Sequence, residues 1–189
     1  MRAFRLFCLW VLLALLPGCA LWQDGGPPAE GPESPLSLRS WRMEGRIGVQ
    51  ARETAWQASL NWEHDALQDR LRISGPFSQG MVSIVLQAGL IYLNEGNGKT
   101  VLSQDADTLL RQRLGFVIPL SSLRYWMVGV PDPALSSSTV GAGFQQAGWQ
   151  VAPEKLSRTA NWDLPQKLRV EGAGVRLKIL ADEWRVNED

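Results

Sequence analysis

Cysteine is nearly missing from these 189 residues, with Cys8 and Cys19 alone, so no disulfide framework can staple the fold. Histidine is scarcer still. One His64 and no cysteine beyond residue 19 leave no cluster for a metal and no Cys/His pair for nucleophilic chemistry. Neither sign of charge is in excess, since 19 Lys and Arg face 19 Asp and Glu, and nucleic acid is not an expected partner. The apolar run Leu6 to Leu16 has about half the length that a membrane-spanning helix needs. A Gly-x-Ser-x-Gly elbow is also lacking, and with it the usual signature of a lipid hydrolase. Ser121, Ser122 and His64 are present. However, His64 is expected as an isolated surface side chain in a hairpin turn, so no catalytic residues and no cofactor are expected.

What the chain does have begins with Leu16-Pro17-Gly18-Cys19. Arg2 and Arg5 give a positive start, the apolar run has the length of a signal core, and a small residue followed by Cys resembles a bacterial lipobox. Residues 1–18 therefore read as a lipoprotein signal peptide, and Cys19 as an acylated first residue. Each buried methylene contributes about 0.8 kcal/mol, and two or more chains make attachment stable. Ala20 stands where an Asp would resemble an inner-membrane retention signal, which favours the outer membrane, lipid-anchored and facing the periplasm. Cleavage removes two Arg and leaves 171 residues with 17 basic and 19 acidic side chains, enough for one domain with a full core. Residues 19–40, which include the run QDGGPPAEGPESP, read as a flexible tether, and residues 41–189 as a single domain.

From Trp41 the pattern alternates. Trp41, Met43, Gly45, Ile47 and Val49 point one way, and after a turn at 52–54 so do Trp56, Ala58, Leu60 and Trp62. The spacing predicts an antiparallel hairpin of half-buried strands. Further strands carry Leu71 and Ile73, then Val82, Ile84 and Leu86, then Leu90 to Leu93, then Thr100 to Leu102. Between the third and fourth lies Gly75-Pro76-Phe77-Ser78-Gln79-Gly80, a loop with turn residues at both ends and one large apolar residue. The period then becomes helical, with Ala106, Leu109, Leu110 and Leu114 on one stripe, Asp105 as cap and Gly115 as stop. A second short helix is predicted over 121–128, with Leu120, Leu123, Trp126 and Met127 apolar. Residues 133–143 read as a small-residue loop. Strands resume around Trp149 and Val151, Leu168 and Val170, Val175 to Ile179, and, after a turn at 181–183, Trp184 and Val186.

The fold class that follows is mainly β with a helical lid: an open, strongly curved antiparallel sheet, an unclosed barrel, over an apolar interior. Such an interior can be filled by side chains or left as a cavity. Alternation alone does not choose between these, though a tethered, Trp-rich domain beside a membrane has an apolar ligand at hand. The candidate cavity and lid residues are Trp41, Met43, Ile47, Trp56, Leu60, Leu109, Leu110, Leu123, Trp126 and Met127. Phe77 either folds back on the sheet or forms an exposed tip that touches lipid. Arg42, Arg46, Arg70 and Arg72 fall on outward faces, where they could offer a positive patch to an acidic partner. A structural lipoprotein with a filled interior is the alternative function.

The run DADTLLRQRLGFVIPLSSLRYWMVGVP, Asp105 to Pro131, with its Ile-Pro-Leu step and its Ser-Leu-Arg-x-Trp-x-x-Gly-x-Pro stretch, resembles the outer-membrane lipoprotein receptor family LolB. Gly75-Pro76-Phe77 is similar to that family's protruding loop, and Trp184 to its last strand. The resemblance spans most of Trp41 to Val186, and residues 118–131 are its specific part. It implies an unclosed barrel with a helical lid over a cavity for acyl chains. It further implies transfer of acylated lipoproteins from the periplasmic carrier LolA into the outer membrane, by a monomer that uses no cofactor. Cys19 would be the anchor, and Gly75, Pro76 and Phe77 the membrane-insertion loop. Phe77 stands where the family commonly has Leu, and little of an N-terminal amphipathic helix precedes Trp41 beyond Leu36 and Leu38.

Overall fold

The structure, a computed structural model, describes residues 32–52, 54–75, 80–96 and 98–187. Cys19 and Pro76 to Gln79, with Phe77 among them, lie outside the described residues. Among the described residues eleven strands form one antiparallel sheet. The first half runs β1 (Trp41–Ala51), β2 (Thr54–His64), β3 (Gln68–Ser74), β4 (Met81–Gln87), β5 (Leu90–Asn94) and β6 (Thr100–Ser103). The second half comprises β7 (Ser137–Val140), β8 (Gly143–Gln146), β9 (Trp149–Thr159), β10 (Trp162–Gly172) and β11 (Val175–Val186). The order is β6-β5-β4-β3-β2-β1-β11-β10-β9-β8-β7. Each half is a meander, and the first and last strands meet at the centre, leaving β6 and β7 as unpaired edges.

Alternation does the folding work. In β1 the burial of Trp41, Met43, Ile47, Val49 and Ala51 against the exposure of Arg42, Arg46 and Gln50 puts every apolar side chain on one face. Between β6 and β7 the chain forms two helices, α1 (Ala106–Leu114) and α2 (Leu120–Met127). The Asp105 carboxylate accepts from the Thr108 N–H at 2.9 Å, and Gly115 ends α1 with φ 81°, a left-handed conformation that glycine adopts at little cost. Leu109 and Leu110 of α1, and Leu120, Leu123, Trp126 and Met127 of α2, are buried. Among the described residues, no helix is long and apolar enough to cross a membrane.

Several sequence expectations need correction. The 133–143 segment is not all loop, because β7 lies within it and pairs with β8. Every residue of β7 is exposed, so no apolar alternation marked it. The expected turn at 181–183 is a β-bulge inside β11. Glu44 faces Glu183 while the next residue, Gly45, faces Ala181, so Asp182 is the extra residue. A Cβ on Gly45 would lie 2.0 Å from the Leu180 carbonyl oxygen, which is why glycine stands there. The stretch between Val151 and Leu168 contains the end of β9, a tight turn with Ala160 at φ 49°, and the start of β10. Its prolines, Pro153 and Pro165, sit inside paired strands. Residues 32–40, the end of the expected tether, lie against the domain. Leu38 is buried, and the Trp162 indole N–H donates to Ser37 Oγ at 3.0 Å.

Candidate functional site

The two halves of the sheet treat their apolar faces differently. On the C-terminal half Val151, Leu164, Val170 and Leu177 are fully buried, and α2 packs on β9 and β10. Here Gln146, 1% exposed, organises the packing. Its side-chain oxygen accepts from the Trp126 indole N–H at 2.8 Å and from the Asp132 N–H at 2.9 Å. Its amide nitrogen donates to the carbonyls of Asp132 at 2.9 Å and Leu135 at 3.0 Å. Ser122 Oγ donates to Asp132 Oδ2 at 2.8 Å. Trp126 also packs on Trp149, with ring centroids 6.2 Å apart. These contacts fix α2 to the sheet.

Beneath α1 the interior is hollow. A cavity of about 370 Å³ lies between β2–β5 and the helices. Its strand wall includes Leu60, Leu71, Ile73, Val82 and Ile84, and its cover includes Leu110, Leu114, Ile118, Leu120 and Leu123. Ile47 and Ile179 reach it from the central strands. Of the candidate residues, Ile47, Trp56, Leu60, Leu110 and Leu123 line this cavity. Leu109 and Met127 are buried in the lid's packing, and Trp126 sits on the C-terminal half. Trp41 and Met43 lie at the far end of β1, where the Trp41 ring is 5.6 Å from that of Trp62 and 5.4 Å from that of Trp184. Gly75 and Gly80, the described residues on either side of 76–79, also line the cavity.

Among the described lining residues two are charged. Glu95, in the β5–β6 turn, and Arg113, in the last turn of α1, both line the cavity and form an ion pair at 3.5 Å. Alternation placed Leu71, Ile73, Val82 and Ile84 inward, yet it could not tell a cavity wall from a filled core. Arg113 had only its place in the last turn as a signal, where a cation suits the helix dipole. At the other end of α1, the Thr108 hydrogen bonds hold the Asp105 carboxyl below the usual carboxylate range. Burial, followed by the neighbouring Asp105 charge, pushes that of Asp107 up.

His64 is not the isolated surface side chain expected from sequence. It closes β2, stacks on Trp41 with centroids 5.4 Å apart, and places Nδ1 2.8 Å from Asp69 Oδ1. Asp69, 1% exposed, also accepts from the Trp62 indole N–H at 3.0 Å and from Arg124 of α2 at 3.4 Å. His64 and Ser122 thus have different carboxylate partners, and no Ser–His pair forms between them. Among the described residues no group of His, Cys, Asp and Glu could hold a metal ion. Of the outward arginines, Arg42 and Arg70 pair with Glu63, and Arg46 with Asp182, so that face carries much of its charge already balanced.

A curved antiparallel sheet, left open along one side and strapped by helices over an apolar cavity, defines a binder of apolar chains. Residues 39–184 match the family described as outer membrane lipoprotein LolB. The chain belongs to this family of outer-membrane lipoproteins. Relatives carrying the name outer-membrane lipoprotein LolB include that of Nitrosococcus oceani, 28% identical over 98% of this chain and 100% of its own. That of Halorhodospira halophila is 30% identical over 83% and 81%, and that of Marinomonas sp. 25% identical over 97% and 98%. Among solved structures, a LolA superfamily protein from Nitrosomonas europaea is similar at 8% identity and a TM-score of 0.47, covering 81% of this chain and 88% of that one.

Proposed function

We propose that this protein is an outer-membrane receptor that accepts acylated lipoproteins from the periplasmic carrier LolA and inserts them into the outer membrane. It works as a monomer held to the periplasmic face by an acylated Cys19. The observation that carries the reading is the apolar cavity under α1, walled by aliphatic side chains and flanked by the ends of the Phe77 loop. At roughly 30 Å³ per methylene-sized group, the share of one water in the liquid, 370 Å³ suits an acyl chain of about a dozen carbons. A structural lipoprotein with a filled interior has no use for such a space.

The energetics fix the route. Exposing a dozen methylenes to water costs about 10 kcal/mol, a factor of about 10⁷ in equilibrium. Chains must therefore pass from the carrier's cavity to this one, and from there to the bilayer, without crossing water. Entry needs the cover to open, and α1 is the part suited to move. It buries two side chains and is tied at its C-terminus by the exposed Arg113–Glu95 pair, whereas α2 buries five and holds two polar ties to strands, to Asp69 and Gln146, and one to Asp132 of the loop that follows it. Phe77 would gain about 1.5–3 kcal/mol on entering lipid, enough for reversible contact at the moment of delivery.

The test mixes the chain from residue 20 onward with a preformed complex of LolA and an acylated lipoprotein. Movement of the lipoprotein to this chain is the expected result, and no transfer from an active carrier would refute the receptor. In the lipid-anchored protein, Phe77→Glu should leave that acceptance intact and slow delivery to vesicles about tenfold or more, in line with the energy above. Delivery at the normal rate would remove the loop from the mechanism.

A further inference from the structure

We propose that Arg113 reads the polar linkage of the bound ligand, receiving the ester and amide carbonyl oxygens that join acyl chains to the lipoprotein's N-terminal cysteine. The inference rests on the reading of the cavity as an acyl-chain site. An acyl ligand is not wholly apolar, because each chain ends in a carbonyl group. A carbonyl drawn into a dry pocket costs free energy unless a donor meets it. The described wall is aliphatic and aromatic but for Gln57, an exposed residue, and of its two indoles, Trp56 and Trp62, the second already gives its N–H to Asp69. Among the described lining residues Arg113 is the one cation, and a guanidinium offers five N–H donors in a fixed fork.

Its position suits the task. Arg113 lies in the last turn of α1, two residues before Gly115. Its side chain is 41% exposed while still lining the cavity, so it spans the boundary between apolar interior and water where a chain's carbonyl end must lie. Its partner Glu95 sits across the mouth on the β5–β6 turn at 3.5 Å. A ligand carbonyl that takes guanidinium donors competes with Glu95, and so loosens the tie that holds the end of α1 to the sheet. Recognition of the linkage and release of the lid then occur at one side chain.

The experiment compares two diacylated lipopeptides with the same chain lengths, one with ester-linked chains and one with the ether-linked analogue that lacks the carbonyls. Both are titrated against the chain from residue 20 onward, which keeps the whole described core, using its tryptophan fluorescence. The wild type should prefer the ester by about tenfold, the scale of a hydrogen bond to a charged group. Arg113→Met should erase that preference, so that the variant binds ester and ether equally. Glu95→Gln, which frees the guanidinium, should strengthen ester binding a few-fold. Equal binding of ester and ether by the wild type, or an ester preference that survives Arg113→Met in a folded variant, would overturn the role of Arg113 while leaving the cavity an acyl site. Failure of the wild type to bind either lipopeptide would overturn both.

Discussion

Gln146 shows how much a single uncharged side chain can decide. Its amide satisfies four partners on three residues: the Trp126 indole of α2, both backbone groups of Asp132, and the carbonyl of Leu135. Gln146→Leu has nearly the same size but strands all four, and each buried group left without a partner costs about 1–3 kcal/mol. With partial relaxation the expected loss is about 3–5 kcal/mol, visible in denaturant melts. Loss of under about 1 kcal/mol would mean that water replaces the amide. Nothing in the sequence announces this residue. Gln145-Gln146 is a polar pair in a short strand, and only the fold shows that Gln146 turns inward while Gln145 is exposed. His64 was misplaced for a related reason, because its buried carboxylate partner is five residues away across a hairpin and has no local signature.

At the scale of elements, the strands with one solvated face were legible, since alternation fixes which side faces inward. Those without it were not. β7 is exposed on both faces, and the bulge in β11 breaks the period at Asp182 and imitates a turn. The helices were read through Asp105, Gly115 and the apolar stripe, with α2 starting one residue earlier than expected. Their unequal attachment was not legible, because it depends on partners in β3 and β8. Amide hydrogen exchange should express that inequality, with α1 exchanging at least tenfold faster than α2. Acid should widen the gap. The Asp105 carboxyl is depressed by its Thr108 hydrogen bonds, so its support of α1 is complete at neutral pH and lost as pH falls through that lowered value. Asp105→Asn keeps a capping acceptor and should remove this acid sensitivity. Equal protection of both helices would mean that the whole cover opens as a unit.

For the molecule as a whole, the decisive contact is the central seam where β1 meets β11 and the two meanders become one sheet. Gly45 lies at its bulge, and Gly45→Ala forces a methyl group onto the Leu180 carbonyl. The expected cost is about 1–3 kcal/mol, the usual penalty of overpacking, or a melting point lower by about 2–12 °C for a domain of this size. An unchanged melting point would show that the seam can shift to make room. Division of labour follows from the seam. The second meander packs against α2 through β9 and β10, and the first supplies the strand wall of the cavity that both helices cover.

The two free edges, β6 and β7, are joined only through the chain that forms α1 and α2. In a closed barrel the bore is set by strand number and stagger, and the ring is completed by hydrogen bonds. Here a covalent strap, the chain of α1 and α2, takes the place of those hydrogen bonds. In the receptor proposed above, lifting α1 and spreading the sheet would be one motion, and a cargo with bulkier lipid would be met by a wider girth without breaking a strand pairing.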